Sequence, residues 1–289
     1  MKSSKSKTKE RLFIIFSLLP ALLISLGIII YPIINTVIQS FQDPDTGAWT
    51  LANYTYLFTN KVSSSAIWYT LYISILTVVL SIGISYLLAL FLRFNKSKVA
   101  RFIGNLYLIP RFIPGLVATY AVMAIIRDSG LLYRLSLLLP QTSALYGFKP
   151  GLLYNTKGIL LMNLWFNIPF ATMIIVAALS GISESLVESA RDVGANKFQV
   201  FFRVILPLSY KDILIAATFV FMSNISAFTT PYLIGPNFPT MLGVFLRNEF
   251  ANRNYESAAA TSVIIFLFSS VSAVIYLVSN MKEKAWENN

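Results

Sequence analysis

Few residues in this sequence could perform covalent chemistry. The chain contains no cysteine and no histidine. Thiolate nucleophiles, disulfides, imidazole bases and the usual zinc or haem ligand sets are therefore excluded. Its acidic residues all lie outside the long apolar runs, which argues against the paired carboxylates of a membrane-embedded enzyme. A carrier coupled to protons or sodium also usually needs a carboxylate within the membrane. The polar residues therefore indicate a role other than catalysis.

The most distinctive polar spacing lies in residues 184 to 212. It consists of E-S-A beginning at Glu188, three residues, Gly194, nine residues, and V-I-L-P ending at Pro207. Long apolar runs lie on both sides of this stretch. A charged segment of this length between two apolar runs predicts a folded element rather than a minimal turn.

The composition indicates that the chain lies in a membrane. Of its 289 residues 56% are hydrophobic and 12% are charged, with a mean hydropathy of +0.68, whereas a soluble domain carries roughly 25% charged residues. We therefore expect an all-α polytopic membrane protein. The predicted parts are a basic N-terminus 1–11, a membrane domain 12–279 with spans at about 12–40, 67–92, 102–126, 158–180, 213–235 and 257–279, a charged segment 181–212 and a tail 280–289. The first run exceeds the about 7–15 apolar residues of a signal peptide, so we interpret it as a retained span.

The distribution of basic residues predicts the orientation of these spans. Six spans place both termini on one side, together with the segment 181–212. Fifteen of the 23 Lys and Arg residues fall on that side, seven fall on the other, and Arg111 lies inside span three. The positive-inside rule then puts both termini and the charged segment in the cytosol. The same rule accounts for the net charge of +11 without a nucleic-acid partner.

The charged segment is expected to form two short helices. Ser183 can cap a helix over residues 184–193, whose first turn carries an acid that complements the helix dipole. Gly194 can supply the left-handed residue that ends it. Asn196 can cap a second helix, and Pro207 then marks the entry to span five. An ordinary solvated loop is the alternative, but it would not require this spacing of glutamate, glycine and proline.

The spacing closely resembles the EAA motif of the permease subunits of bacterial ABC importers. That motif reads E-A-A, three residues, G, nine residues, I-x-L-P, and the chain departs from it only at Ser189 and Val204. Its position between the fourth and fifth of six spans also suits a type I importer permease. The runs 49–54 and 109–115 resemble further features of the family, so the likeness covers essentially the whole chain.

The resemblance implies a type I ABC importer permease fold with a cytosolic coupling helix that docks on an ATPase. The residues that match this coupling site are Glu184, Glu188, Ser189, Ala190, Arg191, Asp192, Gly194, Ala195 and Pro207. The implied partners are a second permease subunit, homologous or identical, two cytosolic ABC ATPases, an extracellular solute-binding protein and the bilayer of a bacterial plasma membrane. The chain has no GxxxxGK[ST] loop, so it is expected to be no enzyme and to bind no cofactor. ATP and Mg²⁺ would be used by the ATPase.

Polar residues near the spans are candidates for the translocation path. They are Arg111 in span three, Asn163, Trp165 and Asn167 in span four, and Asn224, Thr229 and Thr230 in span five. An unpaired charge at mid-depth costs at least about 2.5–3.5 kcal/mol. Arg111 could contact solute or freed carbonyls, or it could pair with the partner permease or snorkel to the interface. The amides could line the path, with the indole stacking on solute, or could hydrogen-bond neighbouring helices.

The sequence favours one substrate branch over another. Arg191 and Asp192 precede Gly194 with one residue between, which looks more like the spermidine/putrescine and iron branch than the sugar branch, where Asp usually adjoins the glycine. The lack of acids in the spans suits a neutral sugar or oligosaccharide instead. An ion channel or a secondary carrier is the alternative outside this family, and it explains the charged segment poorly.

Overall fold

The computed structural model describes the backbone of residues 15–287 and the side chains of residues 15–278. The predicted basic N-terminus 1–11 lies outside the described residues. Within them the chain forms helices, and its only β-pairing is the isolated bridge between Gln42 and Trp49. The helices are α1 Ile15–Ser40, α2 Ala52–Thr59, α3 Lys61–Phe94, α4 Lys98–Leu106, α5 Ile109–Phe112, α6 Gly115–Ile126, α7 Leu131–Ser136, α8 Thr156–Ser180, α9 Glu184–Asp192, α10 Lys197–Ile225, α11 Thr229–Ile234, α12 Leu242–Ala251 and α13 Tyr255–Glu287.

Six stretches of the described chain are long and apolar enough to cross a membrane, which confirms the prediction of an all-α protein with six spans. They are Ile15–Ser40, Lys61–Phe94, Gly115–Ser136, Thr156–Ser180, Lys197–Ile225 and Tyr255–Val278. The fourth begins two residues before the predicted span and ends at the predicted residue, and the second begins six residues before its predicted span and ends two residues after it.

The helix ends differ from the predicted bounds of spans three and five. Span three is broken into α4, α5 and α6, because Pro110 and Pro114 interrupt the helix between them. Span five begins at Lys197 and ends at Ile225, and residues 229–234 form the separate helix α11. The predicted loop 236–256 also contains α12.

In two of the long helices the backbone hydrogen bonding changes from the α-helical to the π-helical pattern just before a proline. Residues Ser25–Ile30 and Phe201–Ile205 are π-helical, and they precede Pro32 and Pro207 respectively. The Leu206 N–H bonds to the Phe201 carbonyl, five residues back. A proline ring clashes with the carbonyl four residues before it, and a π-bulge relieves that clash without ending the helix. This is why Pro207 lies inside α10 rather than at its start.

The chain divides into two compact units, and the first combines residues before Asn60 with Leu246–Ile264. In this unit α2 is fixed to the end of α1 by a buried amide. The Nδ2 of Asn53 donates to the carbonyls of Ser40 and Gln42 at 3.0 and 2.9 Å, and the hydroxyl of Tyr54 lies 2.7 Å from that of Ser40. The polar run 49–54 singled out in the sequence therefore forms a structural tie.

The second unit, Asn60–Phe245 with residues from Ile265 onward, contains α3, α8 and α10 as its packed core. One face of α3 carries small buried hydroxyl residues, namely Thr70, Ser74, Thr77, Ser81 and Ser85. Small side chains let helices approach closely in lipid, where packing rather than hydrophobic burial drives association. The Ser85 hydroxyl accordingly reaches the Ile168 carbonyl of α8 at 3.0 Å. An apolar cluster continues this core from α8 and α10 to Val187 of α9.

Candidate functional site

The helix α9 carries the glutamate of the motif, and it ends as the sequence predicts. Gly194 has a φ of +86°, which places it in the left-handed region. Its N–H bonds to the Arg191 carbonyl at 2.8 Å, and the Ala195 N–H bonds to the Ala190 carbonyl at 3.1 Å. These are the two hydrogen bonds of a Schellman motif. The helix begins at Glu184, but Ser183 makes no capping bond, and its hydroxyl accepts from that of Ser185 at 3.2 Å.

The second predicted helix is present, but it is not separate from span five. Asn196 caps it through a capping box, in which the Asn196 and Gln199 side chains each accept from the other's backbone N–H at 2.9 and 2.8 Å. The helix then continues without a break from Lys197 to Ile225. In place of the two short helices that were predicted, the segment therefore contains one short helix, α9, which Gly194 joins to a membrane helix that extends beyond Pro207.

A single guanidinium group anchors α9 to the membrane helices. The Nε of Arg93 donates to the Leu179 carbonyl and its Nη2 to the Ile182 carbonyl, each at 3.2 Å. Its Nη1 lies 3.1 Å from Oε1 of Glu184, whose Oε2 lies 3.4 Å from the Lys96 ammonium. Arg93 thus joins the end of α3 to the end of α8 and to the first turn of α9. In the sequence, Arg93 counted only as one of the basic residues that predict the orientation of the spans. Its position at the end of span two was the signal that could have indicated this anchoring role.

The anchor changes the acidity of Glu184. Hydrogen bonds from Arg93, then from Lys96, hold the pKa of this carboxyl below its ordinary value. A carboxyl with a lowered folded-state pKa contributes stability above its ordinary pKa and loses that contribution as the pH falls through the lowered value. The ion pair is therefore intact at neutral pH.

The opposite side of α9 and the start of α10 are exposed. Val187 is buried and Ala190 is partly buried against the core cluster. By contrast Val193 is 85% exposed and Phe198 is 76% exposed. The motif side chains of Glu188, Ser189, Arg191, Asp192 and Pro207 are exposed too. Exposed apolar side chains among charged ones are typical of a protein-binding surface.

The three candidate amides of the path are buried, and two of them bond to a neighbouring helix. The Nδ2 of Asn163 donates to the Thr77 hydroxyl at 3.2 Å, which links α8 to α3. The Oδ1 of Asn167 accepts from the Ser223 hydroxyl at 3.3 Å, which links α8 to α10. Asn224 is 2% exposed and donates to the Val220 carbonyl at 2.6 Å. The contacts of Asn163 and Asn167 are those of the helix-bonding alternative, whereas the Asn224 bond lies within α10.

The other path candidates have exposed or partly exposed side chains. Trp165 and Thr229 are exposed, and Thr230 is partly buried. Arg111 lies on the short helix α5, and its guanidinium carbon is 4.9 Å from the centroid of the Phe170 ring on α8. Stacking on an aromatic face stabilises a cation without an acidic partner, so Arg111 has a contact within its own chain.

We expect Asn167→Ala to lower the free energy of unfolding without a severe loss of solute uptake. The substitution removes the bond from Ser223, and such bonds between membrane helices contribute about 0.6 kcal/mol on average and at most about 1.7 kcal/mol. Denaturant unfolding in detergent should therefore show a loss of about 1 kcal/mol. The exposed Asn237→Ala provides the control, with unchanged stability. Unchanged stability in Asn167→Ala together with a severe loss of uptake would instead assign Asn167 to the path.

Comparison with known proteins identifies the family. Residues 81–284 match the model of the family described as "Binding-protein-dependent transport system inner membrane component". This range covers α9, Gly194 and the anchoring Arg93, and it is more than half of the chain. The chain therefore belongs to this family.

Individual relatives agree with the family match. Over 233 residues the chain is 26% identical to the spermidine/putrescine transport system permease protein PotB of Haemophilus influenzae, covering 80% of this chain and 79% of that protein. Over 251 residues it is 24% identical to the maltose/maltodextrin transport system permease protein MalF of Salmonella typhimurium, covering 78% of this chain and 48% of that protein. The chain spans about half the length of MalF.

The fold is that of a solved transporter chain as well. The structure of a bacterial ABC transporter involved in the import of the acidic polysaccharide alginate contains a chain that matches with a TM-score of 0.77, 19% sequence identity and coverage of 96% of this chain and 98% of that one. The alternatives of an ion channel and a secondary carrier are wrong. The match of the motif-bearing residues to the family and of the helices to the transporter chain identifies this multi-pass membrane protein as a type I ABC importer permease.

Proposed function

We propose that α9 and the first turn of α10 are the surface through which the importer's ATPases drive this permease. The observation that carries the proposal is the two-sided construction of α9. One side is fixed to the spans by Arg93 and the buried Val187, and the other exposes Val193 and Phe198 beside the motif residues. The coupling site comprises Glu184, Glu188, Ser189, Ala190, Arg191, Asp192, Gly194, Ala195 and Pro207. Within it, Glu184 faces the anchor and the exposed members face the ATPase.

The connections of α9 suggest how a movement of the ATPase reaches the membrane. A displacement of α9 acts on the ends of α3 and α8 through Arg93, and on α10 through Gly194. Packed cores respond to such a displacement by switching between discrete arrangements rather than by continuous deformation. The result is alternating access, in which the permease opens to one side of the membrane at a time.

The proposed assembly follows the family. It contains this chain, a second permease subunit, two cytosolic ABC ATPases and an extracellular solute-binding protein. The ATPases hold ATP and Mg²⁺, and this chain binds neither. The basic-residue count favours cytosolic termini and a cytosolic α9. Exposed Trp165, Arg111 and Thr229 are the residues of this chain that we expect to contribute to the path.

A polyamine-like solute is the substrate class that we favour. It is supported by the similarity to PotB and by the order Arg191-Asp192 ahead of Gly194. A sugar or oligosaccharide is the second candidate, which the similarity to MalF and the absence of acids from the predicted spans favour.

Uptake in proteoliposomes tests the function. Uptake should require ATP, the ATPases and the binding protein together, and uptake without ATPase would contradict the proposal. Thermal-shift measurements on the cognate binding protein against a panel of polyamines and oligosaccharides decide the substrate class. Stabilisation by spermidine or putrescine alone supports the first candidate, and stabilisation by oligosaccharides alone replaces it with the second.

A further inference from the structure

A basic cavity lies where α3 ends and α4 begins. Its volume is about 560 Å³, which is within the range of ligand-binding pockets. Three of its lining residues are basic, four are neutral and polar, and none is acidic. The basic residues are Arg93, Lys96 and Arg101, and the neutral polar residues are Asn95, Ser97, Asn105 and Tyr107. Val176 of α8 and small or apolar residues of α3 and α4 complete the walls. We propose that this cavity binds the phosphate headgroup of an anionic phospholipid.

The charge of the cavity is only partly balanced within the chain. Four basic residues occur between positions 93 and 101. Among the residues that the structure describes, Glu184 is the one acid that pairs with them, and its ion pairs are with Arg93 and Lys96. Arg101 forms no ion pair with any residue that the structure describes. Clustered cations attract an anion that can enter between them, and a phosphate can accept hydrogen bonds from both Arg and Lys.

The helix α4 separates polar from apolar side chains in a way that suits a lipid. Its exposed apolar stripe consists of Val99, Phe102 and Leu106, spaced three and four residues apart. Two polar residues with the same spacing, Arg101 and Asn105, line the cavity. An amphipathic helix of this kind lies in the membrane interface with its apolar side toward the acyl chains. A lipid can thus place its phosphate in the cavity and its chains along the apolar stripe.

The position of the cavity favours the leaflet that carries anionic lipids. The cavity shares Arg93 and Lys96 with the anchor of α9, so it lies at the end of the spans where basic residues are concentrated. Basic pockets between membrane helices on the cytoplasmic side are suited to lipid headgroups. A soluble phosphate compound shares the headgroup chemistry, but it has no acyl chains that could contact the apolar stripe. The site does not depend on the docking role proposed for α9.

Native mass spectrometry of the purified full-length chain in neutral detergent tests the site. The probes are dioctanoyl phosphatidylglycerol, dioctanoyl phosphatidylcholine and glycerol 3-phosphate. We expect phosphatidylglycerol to bind, and glycerol 3-phosphate to bind at least about tenfold more weakly because it lacks acyl chains. Equal binding of phosphatidylcholine, or glycerol 3-phosphate binding as tightly as the lipid, would overturn the assignment to an anionic phospholipid.

Matched double variants separate the cavity from general surface charge. Lys96→Gln with Arg101→Gln should weaken phosphatidylglycerol binding by roughly 25-fold, or about fivefold for each basic residue. Lys197→Gln with Arg203→Gln removes the same charges outside the cavity and should leave the affinity within about twofold. All four side chains are exposed, so the variants should fold, and thermal unfolding checks this. An equal loss of affinity in both double variants would overturn the proposal.

Discussion

Arg93→Ala should lower ATP-driven uptake at least about tenfold while the ATPases remain bound. Arg93 is 19% exposed and donates to the carbonyls of Leu179 and Ile182. The Leu179 carbonyl also accepts from the Ile182 N–H at 3.2 Å. A hydrogen bond from a charged donor contributes about 1.5–3 kcal/mol. With the ion pair to the half-exposed Glu184 discounted, losing the two carbonyl bonds costs roughly 3–6 kcal/mol. A free-energy loss of about 1.4 kcal/mol changes an equilibrium constant about tenfold. With a loss of this size or larger, α9 would no longer hold a fixed position against α3 and α8.

The measurement compares solute uptake with ATP hydrolysis in proteoliposomes. We expect the ratio of solute moved to ATP hydrolysed to fall, because the ATPase keeps its docking surface and loses the rigid connection behind it. Arg93→Lys keeps the charge without the planar fork and should retain an intermediate ratio. Lys98→Ala, at the start of the neighbouring helix α4, is the control and should change neither quantity. Uptake within about twofold of the unaltered protein would contradict the positioning role of Arg93.

A charge exchange separates positioning from docking. Arg93→Glu combined with Glu184→Arg can restore the ion pair but cannot restore both donations to the carbonyls of α8 and its loop. We therefore expect partial recovery of coupling relative to Arg93→Glu alone. Loss of ATPase association in Arg93→Ala would mean that Arg93 supports docking itself, and it would leave the proposed docking surface intact. An unchanged ATPase association after alterations of Glu188 and Arg191 would count against that surface instead.

Gly194→Val is expected to have the second large effect, a fall in uptake of about tenfold. The left-handed conformation at φ +86° costs a residue with a Cβ roughly 1–2 kcal/mol, and a β-branched residue is the least tolerated there. No atom of a described residue other than Gly194 and its two chain neighbours would lie within 4 Å of a Cβ at this position. The effect therefore comes from the backbone alone, through loss of the hydrogen bonds that end α9 and orient it toward α10.

Two companion variants make this prediction specific. Gly194→Asn should lower uptake by less than about threefold, because asparagine tolerates the left-handed region. Gly83→Val adds the same side chain at another glycine with open space around it, on α3, and should leave uptake unchanged. Uptake and ATPase co-purification are measured for each variant. Equal losses in Gly194→Val and Gly194→Asn would show that backbone conformation is not the cause.

Local rules were sufficient for several features of the coupling segment. Gly194 ends α9, and Asn196 caps the next helix, because both signals depend on residues within one or two turns. Contrary to the sequence prediction, Pro207 does not mark the start of a helix, for a physical reason. A proline usually ends or begins a helix, but here the π-bulge over Phe201–Ile205 accommodates its ring, and α10 continues through it.

The alternatives left open for the path residues depended on which helices face each other. From the sequence, Asn163 and Asn167 could equally line the translocation path or hydrogen-bond a neighbouring helix. Their burial against Thr77 and Ser223 follows from the packing of α8 between α3 and α10. For Arg111, the partner proved to be the ring of Phe170, 59 positions away in the chain, which no local pattern could indicate.

The sequence by itself determined the class, the number of spans and the motif of this protein. Apolar run length is set by the thickness of the bilayer, and the spacing from Glu188 to Pro207 is local, so both can be read along the chain. Only the tertiary structure decided that Arg93 holds α9 and that Arg93, Lys96 and Arg101 surround a common cavity. Those features join residues from α3, α4, α8 and α9, and their existence depends on how the helices pack rather than on the order of their residues.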